Sequence, residues 1–275
     1  MSFTLGISSG ALKNKYDFNR LLITDPKVIE FYNYPSSEIP NIIDFCQRND
    51  VKIALHTPVP YDNKMPLSRF CPTGPDHKET LEAIRLTKRT IDLAAQVNAM
   101  HVVVHFPSPY KNATKFISDQ QIDSFFCEVA TFADSKDVIV AVENMTTHHT
   151  FKMASDYLRL FQKYPTLRLC LDVTHAYMIN GESTIENFIF VLKEYIHSVH
   201  LCQYNKKTQV KRSISEKDFK HQNPNEIDIP KLLSSLDKLD PPPILILEPP
   251  PAREEDWGGI QKGAFSIKQW NCNRN

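Results

Sequence analysis

Six short apolar runs in this chain end on a residue able to bind a metal. Val51–Leu55 runs into His56, Val102–Val104 into His105, Val138–Val142 into Glu143, Leu167–Leu171 into Asp172, Ser198–Val199 into His200, and Ile244–Leu247 into Glu248. Carboxylates and imidazoles are the ligand types of zinc, manganese and iron sites. Glu143, Asp172, His200 and Glu248 form a set of three acids and one imidazole that could close around one divalent ion. Two of those acids, Glu143 and Glu248, could then stand on opposite faces of a hydroxy-ketone and move a proton between its carbons, one as base and one as acid. His56 and His105 could hold a second metal with Glu143 bridging, or stay neutral and hydrogen-bond substrate hydroxyls. His175 and His221 could orient substrate, support a ligand from behind or contribute to a further metal, and Glu30, in Val-Ile-Glu-Phe, reads as hydrogen-bonding among the same strand ends rather than binding metal.

Continuous Val/Ile/Leu runs are the signature of buried parallel strands. Phe3–Ile7 and Lys27–Phe31 add two strands, giving eight. Helical periodicity fills the intervals at Ile39–Asn49, Lys78–Val97, Asp119–Ala133, Ala154–Lys163, Thr184–Tyr195 and Ile229–Leu239. Ser155 and Asp156 read as the start of one helix, Ser183 and Thr184 of another, and Pro40 suits a first turn. Strand–helix alternation predicts βαβ units and a single α/β domain, a (β/α)8 TIM barrel over about residues 3–251 with a C-terminal extension at 252–275. In such a barrel the strand C-termini share one mouth, so the six residues are expected there, each followed by a loop. Two long loops, Thr57–Asp76 and Asn205–Asn225, are expected to carry substrate selectivity. The basic pairs Lys206-Lys207 and Lys211-Arg212 read as a solvated loop, and so does His148-His149. Trp257 and Trp270 read as packing residues.

The chain has 275 residues, with 32 Lys+Arg against 32 Asp+Glu. That balance gives no electrostatic footprint for sequence-independent nucleic-acid binding. The start lacks a basic segment followed by an apolar one, and no apolar stretch is long enough to span a bilayer, so a cytoplasmic protein with no membrane partner is expected. Cys46, Cys71, Cys127, Cys170, Cys202 and Cys272 show no close pairing and read as reduced thiols. With 7 glycines and one adjacent pair, Gly258-Gly259, the chain lacks the Gly-rich phosphate grip common after the last two strands of barrels.

Glu143-Asn144, Leu171-Asp-Val-Thr-His-Ala, Val199-His200-Leu and Leu247-Glu248, in this order, resemble the metal-binding strand ends of the xylose-isomerase-like TIM barrel superfamily. This superfamily holds sugar isomerases, epimerases and lyases together with the endonuclease IV group. The segment from His221 to Ile229 resembles the family's His-x-x-Pro-Gly-x-Gly-x-Ile-Asp stretch, with Asn225 where glycine is usual. The resemblance implies a divalent metal, zinc or manganese foremost, with magnesium, cobalt and iron open. It implies a metal-dependent isomerase or epimerase of a small sugar or polyhydroxy carbonyl compound, acting through an enediolate, with a possible homo-oligomer. The alternative branches are an endonuclease IV-like zinc phosphodiesterase acting on abasic-site DNA and a dehydratase or lyase. His56-Thr-Pro, His105 and Cys170-Leu-Asp-Val-Thr-His-Ala look like the nuclease group's zinc ligands. That group also carries an Asp-x-His pair, from which Asp218 is one residue out of register with His221, and an aromatic wedge where this chain has Val59.

Overall fold

The computed structural model describes residues 3–62, 70–73, 77–108, 118–146 and 149–272. His148 and half of the Thr57–Asp76 loop lie outside the described residues.

Eight parallel strands make the barrel: β1 (Leu5–Ser8), β2 (Val28–Tyr32), β3 (Lys52–His56), β4 (Val102–His105), β5 (Val140–Glu143), β6 (Arg168–Asp172), β7 (Ile196–Leu201) and β10 (Ile244–Leu247). They follow one another in the closed order β1-β10-β7-β6-β5-β4-β3-β2. Each predicted strand is present. The register is that of consecutive βαβ units, with His105 opposite Glu143 and Ile246 opposite His200. Between the strands run α1 (Ile39–Arg48), α2 (His77–Val97), α3 (Asp119–Ser135), α4 (Ala154–Lys163), α5 (Val173–Asn180), α6 (Glu182–Leu192), α7 (Lys217–Lys220) and α8 (Ile229–Leu236). The described residues end in α9 (Trp257–Cys272), so most of the segment read as an extension is helical. No described helix is long and apolar enough to cross a membrane.

The strand interiors are mostly β-branched and aliphatic residues buried on both faces, as a parallel sheet covered by helices requires. Val102, Val103 and Val104 are each fully buried, as are Ala141 and Cys170, which pack against Val103. Gly6 is required by close approach: a Cβ there would stand 2.6 Å from both the Ile246 Cδ1 and the Val28 carbonyl oxygen.

Two compact units divide the chain, residues 31–170 and residues 1–30 with 171–275. In the first, Pro40 occupies the first turn of α1. Helix α4 spans Ala154–Lys163, as its periodicity predicts, with Met153 rather than Ser155 at the capping position. Asp156 acts one turn in, its carboxylate accepting the N–H groups of Lys152 and Met153 at 3.0 and 2.8 Å. That satisfies amide donors that a helix N-terminus leaves unpaired. In the second, α6 begins at Glu182 after Gly181, whose φ of 71° turns the chain between α5 and α6. Ser183 there donates to the Asn180 carbonyl rather than capping. Trp257 is buried, and Trp270 stacks on Phe3 with centroids 6.0 Å apart.

The segment Asn205–Asn225, expected as a loop, carries structure. Strands β8 (Gln203–Asn205) and β9 (Val210–Arg212) form an antiparallel hairpin, followed by α7. Its turn is closed by the Asn205 side chain, which accepts the N–H groups of Lys207 and Thr208 at 3.0 and 3.1 Å. An Asn side chain that binds backbone two residues on is a turn device, which propensity for strand or helix does not register. All six cysteines are thiols. Burial pushes Cys46 and Cys202 up to about 12, so neither is a nucleophile at neutral pH.

Candidate active site

In the unit of residues 31–170, His56, His105 and Glu143 are the last residues of β3, β4 and β5. Their ligand atoms lie within 4.8 Å of one another. His56 Nε2 is 3.1 Å and His105 Nε2 3.2 Å from the same oxygen, Glu143 Oε2. The two rings meet edge to face with centroids 4.5 Å apart, and Tyr32 packs on His56 at 5.0 Å. His56 Nδ1 faces the Thr57 carbonyl at 3.2 Å. A carbonyl and a carboxylate both only accept, so each ring nitrogen of His56 faces an acceptor, and a neutral His56 has a proton for only one of the two contacts. Such an arrangement is favourable only with a cation or an additional proton between the two. An imidazole whose second N–H is held by a backbone carbonyl is the usual support of a metal-ligating histidine.

Tyr157 of α4 braces the ends of two of these strands. Its hydroxyl donates to the Phe106 carbonyl at 2.9 Å and accepts the Met145 N–H at 3.0 Å, directly beyond His105 and close behind Glu143. Burial pushes the phenol above its ordinary range, keeping it neutral. Tyr157→Phe removes the partner of one buried carbonyl and one buried amide, an expected cost of about 1–3 kcal/mol in urea unfolding. A loss below a few tenths would mean that these strand ends do not depend on the tyrosine.

In the other unit, Asp172 ends β6, His200 lies near the end of β7, and Glu248 follows β10. Their ligand atoms also lie within 4.8 Å of one another. Asp172 divides its carboxylate. Oδ1 caps α5, accepting the His175 N–H at 2.8 Å and the Thr174 hydroxyl at 2.6 Å, while Oδ2 lies 3.6 Å from His175 Nδ1. A helix therefore follows β6 directly, where a loop was expected, and its cap fixes the orientation of the acid. His200 Nε2 is 3.1 and 3.3 Å from the two oxygens of Glu30, a fully buried carboxylate in β2. The Nε2 proton directed at Glu30 leaves the Nδ1 lone pair facing Glu248 Oε1 at 3.8 Å. Carboxylate, imidazole and ligand position in a row is the arrangement that fixes tautomer and raises ligand basicity in metal sites.

Sequence reading missed one residue here. Lys211 of β9, read as part of a solvated run, places Nζ 2.9 Å from Glu248 Oε2 and 3.6 Å from Asp172 Oδ2. Burial works against its charge, but Glu248 and Asp172 outweigh it and hold the ammonium well above its ordinary value. Arg212, its neighbour, is equally engaged. It forms a two-pronged pair with Asp218 at 2.6 and 2.9 Å and reaches Glu226 at 2.7 Å. Only the hairpin alternation, which sends neighbours to opposite faces, could have separated the roles of Lys211 and Arg212.

His221 is exposed at the C-terminal end of α7 and, among the described residues, belongs to neither cluster. Asp218 is committed to Arg212, Gln203 and Ser215.

A family model described as xylose isomerase-like TIM barrel matches residues 11–267. The chain belongs to the xylose isomerase-like TIM barrel family. Among solved structures, this family member superimposes on a D-tagatose 3-epimerase-like protein with a TM-score of 0.74 at 15% identity, covering 100% of this chain and 99% of that one. A xylose isomerase domain protein from Planctomyces limnophilus gives 0.71 at 11% identity, covering 99% of each chain. The 3-keto-D-glucoside 4-epimerase of E. coli gives 0.69 at 11% identity, covering 97% of this chain and 99% of that one. At these identities the likeness is one of fold. No curated protein sequence matches the chain.

Proposed function

We propose that this family member is a divalent-metal-dependent epimerase or isomerase of a small ketose or related polyhydroxy carbonyl compound. The observation that carries the reading is the Asp172, His200 and Glu248 cluster, with Glu30 fixing His200 behind it. Its donors are two carboxylates and an imidazole, and a cation, the Lys211 ammonium, is already seated against both carboxylates. The donor set thus fits a divalent ion, with zinc or manganese foremost. Glu143, at the end of β5, is the fourth ligand in this reading. The names of the similar structures, a tagatose 3-epimerase-like protein and a ketoglucoside 4-epimerase, support the substrate class.

The ion, when bound, would polarise the substrate carbonyl and so acidify the neighbouring C–H. Asp172 and His200 would hold it, each oriented by its own partner: the start of α5 for Asp172, Glu30 for His200. Glu143 and Glu248 do the proton work. One takes the proton from the carbon beside the carbonyl, the electron pair moves toward the carbonyl oxygen, and the other returns a proton to the opposite face, inverting that carbon. In the metal-free protein Lys211 Nζ lies 2.9 Å from Glu248 Oε2 and orients that carboxylate. His175, beside Asp172, is assigned to a substrate hydroxyl. The chain as a whole acts in this reading as one barrel domain. Incubation with manganese and D-tagatose or D-allulose, followed by sugar chromatography, should show interconversion with the 3-epimer that stops on chelation. Inertness toward every ketohexose and pentulose in the presence of metal would sink the proposal.

A second reading, a zinc phosphodiesterase, draws on the His56, His105 and Glu143 cluster and the His56 Nδ1 contact with Thr57. Against it stand Asp218, committed to Arg212, and Val59, fully buried where that group carries an exposed wedge.

A further inference from the structure

The hairpin β8–β9 carries two adjacent cations with opposite tasks. Gln203 pairs across with Arg212, and Tyr204 with Lys211. On the Gln203 and Arg212 face, Asp218 accepts from both residues, the Gln203 amide also exchanges bonds with the Ile227 backbone, and Glu226 completes the set. This face fixes the hairpin backbone. On the other face Lys211 reaches Glu248 and Asp172.

We propose that the Lys211 ammonium is a tethered cation in competition with the divalent ion for Asp172 and Glu248, so that the ion enters this site by displacing it. The inference rests on the metal reading above. The other oxygen of Asp172 is committed to the start of α5 by two hydrogen bonds, so the oxygen turned to a ligand is the one nearest the ammonium. His200 Nδ1, facing Glu248, completes the same pocket of donors. An ammonium and a divalent ion on shared oxygens repel strongly at these separations in a partly desolvated site. Displacement is mechanically simple. Lysine is a point charge on a flexible four-carbon stem, and its side chain is one-third exposed, so it can swing outward while Arg212 keeps the hairpin in place. Before the ion arrives, the same ammonium neutralises two carboxylates that would otherwise repel each other.

The test uses calorimetric titration of manganese into metal-free wild-type, Lys211→Met and Lys211→Arg protein. It also uses amine acetylation of the wild type read by mass spectrometry, with exposed Lys206 and Lys207 on the same hairpin as internal references. Lys211→Met should bind manganese at least about tenfold more tightly than the wild type, and Lys211→Arg should not. Metal saturation should raise acetylation of Lys211 while that of Lys206 and Lys207 stays constant. The labelling needs no variant and decides the matter even if Lys211→Met fails to fold. Equal or weaker binding by a folded Lys211→Met protein, or Lys211 labelling unchanged by metal, overturns the displacement and leaves the metal reading standing. If neither wild type nor Lys211→Met binds manganese or zinc, both fall.

Discussion

Replacing Glu248 by Gln should lower ketose turnover by about 10³-fold, the scale of a positioned acid or base. The amide keeps the size and one oxygen donor of the carboxylate but can neither accept nor release the proton. Glu143→Gln should do the same, because a two-base inversion fails when either face loses its acid. Metal content measured alongside separates lost chemistry from lost binding. His56→Ala is the informative contrast: in the single-ion reading it raises KM and leaves kcat within about tenfold, since the imidazole then touches substrate without moving the proton. Full turnover by Glu248→Gln protein that retains metal would remove the carboxylate from the mechanism.

Asp172 offers a second large effect, because in the proposed site one carboxylate would ligate with Oδ2 while its Oδ1 caps the start of α5. Asparagine caps a helix about as well as aspartate but lacks the charge, whereas alanine does neither. Asp172→Asn should therefore keep the thermal stability of the metal-free protein near that of the wild type while weakening manganese binding by about 10²-fold or more. Asp172→Ala should weaken binding as much and also lose about 1 kcal/mol of stability. Both quantities are read by calorimetry on the metal-free and titrated proteins. An Asp172→Asn protein that binds manganese as tightly as the wild type would exclude Asp172 as a ligand.

The barrel was legible because six of its strands show a short apolar stretch with its chemistry at or just past the end. Burial on both faces forces that composition, and a polar residue stands out against it. His56, His105, Glu143 and Asp172 were found in this way, and all four are the last residues of their strands. Glu30 stands within an apolar strand, where full burial called for a polar partner, and His200 is that partner. Helix α5 was not legible. Its eight residues follow Asp172 without a break, and the capping acid looked like a ligand alone. The hairpin was hidden for another reason. Val210–Arg212 is too short and too polar to read as a strand, and it is held by side chains brought from Asp218 and Glu226. With the hairpin unseen, Lys211 could not be placed at the site.

The central claim is carboxylate-mediated proton transfer that requires a divalent ion. It is tested most directly by incubating manganese-loaded protein with D-tagatose or D-allulose in D2O and reading the recovered sugars by NMR. The account predicts deuterium at the carbon beside the carbonyl in the epimerised product, and none after chelation or in the Glu248→Gln protein. Epimerisation without solvent deuterium under any condition, or deuterium uptake unchanged by chelation, would contradict it.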